Sequence, residues 1–154
     1  MEPQFEDRPA FRVMGVLARG KAEDIDFEAL WMDRFMAHHG LVHPLSTDKA
    51  YYGVGVETGE PGEIEYVAGM AVDEAAEAAE GLVVREVAAA RDAVFECTVR
   101  TVPQAWEGIF SAWLPGSGYE YDASVASFER YPPGTSAGDS PVFIHVPVRK
   151  ADSG

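Results

Sequence analysis

The sequence predicts an α+β protein built from duplicated β-α-β-β units, with antiparallel sheets, two main helices and a ligand cleft between the halves. Two amphipathic helix patterns occur, and each has strand-like segments before it and two more after it. The composition, with 47% apolar and 25% charged residues, suits a chain that buries a core. We expect a single domain over residues 1–150, with repeats at about 8–80 and 82–149 and a disordered tail at 151–154.

The first unit begins with a strand predicted at residues 11–19, where the side chains alternate between two faces. A helix follows, because apolar residues recur at the spacing of one helix face, and Asp24 or Asp26 is a suitable N-cap. This face carries Phe27, Leu30, Trp31 and Phe35. Two strands are then predicted at residues 50–57 and 64–72, with a turn rich in glycine between them.

The second unit repeats this order. Strands are predicted at residues 82–89 and 93–100, and Pro103 opens a second amphipathic helix. The apolar stripe of that helix carries Trp106, Ile109, Phe110 and Trp113. Two further strands are predicted at residues 124–131 and 141–148, on either side of a loop rich in proline and glycine.

Charge and cysteine content limit the classes of function. The net charge is −14 and no basic patch is present, so phosphate backbones are repelled and direct nucleic-acid binding is not expected. The single cysteine, Cys97, excludes an internal disulfide framework and suits a reducing compartment. The N-terminus lacks a signal-peptide pattern and no apolar run is long enough to span a bilayer, so we expect a cytoplasmic protein without membrane association.

No cofactor and no metal site is predicted. The glycines of the segment 53–59 lack the spacing of a dinucleotide-binding loop, and no phosphate-binding loop is present. His38, His39 and His43 lie at a predicted helix end, where cationic histidines are favourable, and the adjacent His38 and His39 diverge instead of sharing one face as metal ligands do.

One acidic residue lies among aromatic ones near the end of the chain. In the segment SFERY, alternation places Glu129 and Tyr131 on one face of a strand, and Phe128 and Arg130 on the other. A carboxylate in aromatic surroundings suits an organic cation, or acts as a general acid or base with a raised pKa. The alternative interpretation is an ordinary strand glutamate, solvated or paired with Arg130 or Arg149.

Residues 102–131 carry a longer pattern, in which a helix ends in Leu-Pro, the turn reads Ser-Gly-Tyr-Glu and the returning strand reads Phe-Glu-Arg-Tyr. This region resembles the GyrI-like small-molecule-binding domain, also called the effector-binding domain of bacterial transcription regulators. The resemblance implies a duplicated β-α-β-β fold with a cleft between the repeats. It also implies a strand glutamate that meets cationic lipophilic compounds, and Glu129 matches that position. Since no DNA-binding region precedes the domain, we expect a stand-alone member.

The ligand-binding residues that we predict around Glu129 are aromatic. They are Trp106 and Trp113 on the second helix, Tyr52 and Tyr66 on strands of the first unit, and Tyr131 beside the glutamate. Neighbours on a strand point to opposite faces, so Tyr51 and Tyr52 cannot both line one cleft. Of the two tryptophans, we expect one to line the cleft and the other to pack in the core.

Three functions agree with these features. The first is a protein that binds a hydrophobic, cationic, aromatic small molecule for sensing, sequestration or drug tolerance. The second, implied by the resemblance, is a hydrolase of cyclopropane-containing alkylating compounds, with Glu129 as catalytic general base and Tyr66 or Tyr131 assisting. The third is an acidic module that binds gyrase or another protein partner. A carboxylate with a raised pKa serves binding and turnover equally, so the sequence leaves the choice open.

Overall fold

Two helices pack against the same face of one antiparallel sheet in the computed structural model, which describes residues 2–151. The predicted tail at 151–154 lies outside the described residues except for its first member. The strands are β1 (Gln4–Arg8), β2 (Phe11–Lys21), β3 (Ser46–Glu57), β4 (Glu63–Val72), β5 (Val83–Val87), β6 (Ala90–Thr98), β7 (Tyr119–Tyr121), β8 (Ser127–Tyr131) and β9 (Pro141–Lys150).

Each helix changes its winding along its length. Helix α1 covers residues 27–42 and helix α2 covers residues 102–113. Their segments are α-helical Phe27–Ala29, π-helical Leu30–Phe35 and α-helical Met36–Val42 in α1, and α-helical Val102–Gly108 and π-helical Ile109–Trp113 in α2. Asp26, one of the two predicted caps, accepts a hydrogen bond from the backbone N–H of Ala29 at 3.0 Å. Within residues 2–151, no helix is both long and apolar enough to cross a bilayer.

The strand order, β1-β6-β9-β8-β3-β4-β2-β5, has the symmetry of a duplication. The two units are β1-β2-α1-β3-β4 and β5-β6-α2-β8-β9, and their third strands, β3 and β8, meet in the middle of the sheet. The first strand of each unit pairs with the second strand of the other unit. The predicted α+β fold with duplicated β-α-β-β units is therefore confirmed. The structure adds β1 and β7, which the sequence patterns did not predict.

One row of side chains crosses the sheet beneath both helices. Successive cross-strand partners in this row are Phe95, Ile144, Glu129, Gly53, Ala68 and Val16. Cross-strand partners point to the same face of a sheet. At one end of the row, Phe95 and Ile144 pack in the core cluster under α2. At the other end, Ala68 and Val16 pack in the cluster under α1. The middle of the row thus lies between the cores of the two halves.

Candidate functional site

Glu129 occupies this central position on β8, and only 8% of its surface is exposed. Neither of the two arginines considered in the sequence analysis as partners pairs with Glu129. Arg130 lies on the opposite face of the strand because it is the next residue. Arg149 pairs instead with Glu120 and Asp122, at 3.6 and 4.0 Å. Among residues 2–151, no positively charged side chain forms a salt bridge with Glu129.

Three neutral donors hold the Glu129 carboxylate. The hydroxyl groups of Tyr66 and Tyr131 each donate a hydrogen bond to Oε1 at 3.0 Å. The indole Nε1 of Trp106 donates to Oε2 at 2.7 Å. Tyr66 comes from the first unit, whereas Tyr131 and Trp106 come from the second. Both carboxylate oxygens are therefore satisfied without a counter-ion, by groups that the fold brings together from the two halves.

A second indole fixes the direction of this network. Trp31 on α1 donates from Nε1 to the Tyr66 hydroxyl oxygen at 3.3 Å. Since an indole N–H can only donate, Tyr66 receives this bond and keeps its own hydrogen for Glu129. Trp106 also can only donate. We call this group the aromatic cradle (Trp31, Tyr66, Trp106 and Tyr131). Three of its members donate to the carboxylate, and Trp31 donates to the Tyr66 hydroxyl.

Burial and hydrogen bonding act in opposite directions on Glu129. Desolvation raises the pKa of its carboxyl group above the ordinary value of 4.5, and the bonds from Trp106, Tyr66 and Tyr131 offset part of that rise. Burial also raises the pKa of both tyrosine hydroxyls, and the nearby Glu129 carboxylate adds to the rise. These hydroxyls therefore remain protonated donors. The carboxylate is left with neutral dipoles around it and a higher affinity for a proton than in water.

Gly53 makes room for this arrangement. It is the cross-strand partner of Glu129 on β3. A Cβ atom at this position would overlap the Tyr66 hydroxyl and lie 2.9 Å from Oε1 of Glu129. A side chain at position 53 would therefore displace the hydroxyl that donates to the carboxylate. The sequence patterns did not identify Gly53 or Trp31 as site residues. The available signal for Gly53 was a glycine inside a strand, which often marks a close approach of another group.

The structure places two of the predicted aromatic residues away from Glu129. Tyr52 lies on the opposite face of the sheet, because its neighbour Gly53 faces Glu129. Its hydroxyl donates to Asp48 at 2.6 Å. Trp113 packs edge-on against Phe95, with ring centroids 5.0 Å apart, in the core under α2. Tyr66, Trp106 and Tyr131 are the predicted residues that the fold brings to the glutamate.

The outer side of the cradle is a layer of half-buried rings. Trp31 on α1 contacts Tyr131 edge-on, with centroids 5.8 Å apart. On α2, Trp106 stacks on Phe110, with ring planes 11° apart, and Phe110 is 38% exposed. Tyr66 is buried beneath them, with 6% exposure. The carboxylate of Glu129 thus lies beneath rings that are partly open to solvent.

Comparisons with known proteins agree with this architecture. Residues 4–148 match the family model of Cass2, described as an integron-associated effector binding protein. The transcriptional regulator BrlR of Pseudomonas aeruginosa is 30% identical over 153 residues, which cover 96% of this chain and 56% of BrlR. The chain thus spans little more than half the length of this curated relative.

Two solved structures share the fold at low sequence identity. The structure of SAV2435 bound to tetraphenylphosphonium has a TM-score of 0.81 and 18% identity, over 97% of this chain and 94% of that one. The integron cassette protein VCH_CASS2 of Vibrio cholerae has a TM-score of 0.65 and 19% identity, over 97% of both chains.

Proposed function

Because this chain belongs to the Cass2 family of integron-associated effector-binding proteins, we propose that it binds a hydrophobic organic cation, with Glu129 as the counter-charge. The observation that carries the proposal is a buried carboxylate held only by neutral donors. A carboxylate is costly to bury without a cation, and three dipoles compensate this cost only in part. A cationic ligand supplies the missing charge.

The aromatic cradle and Glu129 together would determine which ligands the site prefers. Ring faces of tryptophan and tyrosine attract cations and provide apolar area for a flat or bulky ligand. A neutral ligand of the same shape gains the apolar contact but leaves the carboxylate without a counter-charge. We therefore expect the rings to supply most of the affinity and Glu129 to supply the preference for positive charge.

Access to Glu129 requires a ring to move. Trp31 and Trp106 belong to different helices and both are half-buried, whereas Tyr66 is fixed beneath them. We infer that the ligand enters between the two indoles and replaces the Trp106 hydrogen bond to Oε2. The tyrosine bonds to Oε1 then stay in place and hold the carboxylate toward the ligand. The structure of SAV2435 with tetraphenylphosphonium supports this cation as the first probe.

The test is a titration of tetraphenylphosphonium followed by tryptophan fluorescence and by calorimetry. Replacing Glu129 by Gln should weaken binding by about 1–3 kcal/mol, the range for charge-assisted contacts. Glu107→Gln is the matched control, because Glu107 is an exposed carboxylate next to Trp106 on the same helix. Glu129→Gln should weaken the binding of triphenylphosphine oxide, a neutral aromatic compound, far less than the binding of the cation. An equal loss for the cation and the neutral compound would contradict the proposal.

Hydrolysis of alkylating compounds by Glu129 has less support. A general base needs a lone pair directed at a water molecule. Here Oε1 already accepts two hydrogen bonds, so the base would have to be Oε2, which accepts one bond from Trp106 and keeps a single lone pair. Product analysis of a cyclopropane-containing alkylating compound, incubated with wild type and with Glu129→Gln, tests this alternative. Loss of the compound with wild type alone would establish turnover.

A further inference from the structure

A groove of about 610 Å³ lies on the face of the sheet opposite to Glu129. Its floor is formed by Phe128 and His145, which are cross-strand partners on β8 and β9. Tyr52 and Arg130, another cross-strand pair, line one side, and Phe11 on β2 also contributes. Because Phe128 and Arg130 flank Glu129 in sequence, the groove and the aromatic cradle are on opposite sides of the same strand.

A buried polar network forms one wall of this groove. Asp92 on β6 is fully buried, and its Oδ2 accepts hydrogen bonds from Arg8 Nε at 2.6 Å and from His145 Nδ1 at 3.0 Å. Arg8 also donates to the backbone oxygens of Pro9 and Ala88. The Arg8 charge is thus matched by Asp92, and His145 is held in a fixed orientation with only Nε2 uncommitted.

The aromatic rings at the bottom of the groove pack against His145 and Arg8. The His145 ring stacks on Phe128, with centroids 4.3 Å apart and planes 13° apart. The Arg8 guanidinium lies over the rings of Phe128 and Phe11, at 5.2 and 5.5 Å from their centroids. Phe11 meets Phe128 edge-on at 5.2 Å. These contacts fix the positions of the rings and of His145 at the bottom of the groove.

The cation that this groove offers to a ligand is Arg130. Arg130 is half-buried and forms no salt bridge with any residue between 2 and 151. It lies beside the Tyr52 hydroxyl, where its charge opposes the rise in the pKa of Tyr52 that burial and Asp48 cause. Of the residues that line the groove, Glu6 at its exposed rim is the single carboxylate. A cation without an ion-pair partner among the described residues contrasts with a net charge of −14 for the whole chain.

We propose that this groove is a second ligand site, which takes an organic anion with a planar apolar body, such as an aromatic carboxylate or sulfonate. The guanidinium of Arg130 would bind the anionic group, since its fork of N–H donors matches two acceptor oxygens. His145 Nε2 is available for a further hydrogen bond. The half-buried rings of Phe11 and Phe143, which line the groove, would cover the apolar body. The protein would then hold ligands of opposite charge on the two faces of one sheet.

The test uses 8-anilinonaphthalene-1-sulfonate, a fluorescent aromatic anion, titrated against the intact chain. We expect a single saturable site. Arg130→Gln should weaken binding by about tenfold, which corresponds to one charge-assisted hydrogen bond. Arg130→Lys should retain part of the affinity, because the charge remains but the fork is lost. Glu6→Gln should strengthen binding by about twofold, because it removes the carboxylate of the rim.

A second titration separates this site from the aromatic cradle. Glu129→Gln should leave the affinity for the sulfonate within about twofold, and Arg130→Gln should do the same for tetraphenylphosphonium. Near-ultraviolet circular dichroism checks that each variant keeps its native packing. Unchanged sulfonate affinity in Arg130→Gln would overturn the proposal. A loss in Glu129→Gln as large as that in Arg130→Gln would also overturn it, since the dye would then occupy the cradle.

Discussion

The Tyr66 hydroxyl fills the space that a side chain at position 53 would need. Gly53 on β3 is paired with Glu129, and Tyr66 on β4 reaches over the glycine to donate to the carboxylate at 3.0 Å. Because Gly53 on β3 has no side chain, Tyr66 on β4 can donate a hydrogen bond across β3 to Glu129 on β8. This relationship makes the central glycine a part of the site.

Gly53→Ala should disrupt the cradle and lower the free energy of unfolding by about 1–3 kcal/mol, the usual effect of overpacking. The Tyr66 hydroxyl would have to move and Glu129 would lose a donor. Gly55→Ala is the matched control, because Gly55 lies on the same face of the same strand and an added Cβ meets nothing within 4 Å. Chemical denaturation of both variants measures the difference. Equal stability of the two would show that Tyr66 relaxes at no cost.

Stability should depend on pH through Glu129. Because burial raises the pKa of this carboxyl group above 4.5, the folded state holds a proton over a pH range in which the unfolded state has released it. The contribution of Glu129 is therefore present below its ordinary pKa and is lost as pH rises through the raised pKa. A tenfold difference in proton affinity between the folded and unfolded states corresponds to about 1.4 kcal/mol of stability.

This prediction is checked by denaturation of wild type and Glu129→Gln at a series of pH values between about 4 and 8. The wild type should gain stability relative to the variant as pH falls toward the ordinary pKa of a glutamate. Glu107→Gln, which removes an exposed carboxylate, should give a curve parallel to the wild type. Parallel curves for Glu129→Gln would mean that the pKa of Glu129 is not raised.

The reactivity of the Cys97 thiol can report on the charge of the Glu129 carboxylate. Burial raises the pKa of its thiol to about 11, and the Glu129 carboxylate adds to the rise. Its thiolate fraction at about pH 8 should be roughly 100-fold below that of an ordinary cysteine, so alkylation by iodoacetamide should be correspondingly slow. Glu129→Gln should accelerate the reaction, because the nearby negative charge is removed. Mass spectrometry of timed samples measures both rates, and identical rates would contradict this electrostatic coupling.

The Arg8–Asp92 pair should be important for stability. Both side chains are almost fully buried, with 6% and 0% exposure, and Asp92 also fixes His145. Asp92→Asn would leave the Arg8 charge buried without a partner, so we expect a loss of about 3–5 kcal/mol in the free energy of unfolding. Asp7→Asn is the control, since Asp7 pairs with Arg91 at the surface and is 81% exposed. A similar small loss in both variants would mean that Arg8 finds another acceptor.

The sequence predicted part of the site because some of its geometry is local. Glu129 and Tyr131 are two residues apart on one strand, so alternation alone places them on one face. Tyr52, which we predicted among the ligand-binding residues around Glu129, lies on the opposite face of the sheet, because its orientation depends on which residue of β3 stands opposite Glu129. That partner is Gly53, and the register between β3 and β8 is set by packing of the two halves, which no short pattern records.

The helices show a similar limit. The spacing of Trp106 and Trp113 fits one stripe of a regular α-helix, yet only Trp106 reaches the glutamate. Trp113 lies two turns further along, roughly 10 Å along the helix axis, and its ring packs on Phe95. Strand β1 was missed because its sequence, QFEDR, has a single apolar residue and is held at the edge of the sheet by pairing with β6.

The exchange of first strands between the two units determines how the protein unfolds. Strand β1 completes the sheet of the second half and β5 completes that of the first, so neither half has its full set of strand partners alone. Pairings between residues as distant in sequence as Gln4 and Val94 must form before either edge is closed, which favours slow folding and a single cooperative transition. A ligand that joins the halves at Glu129 would then protect amides on both outer strands from hydrogen exchange, far from any atom that it touches.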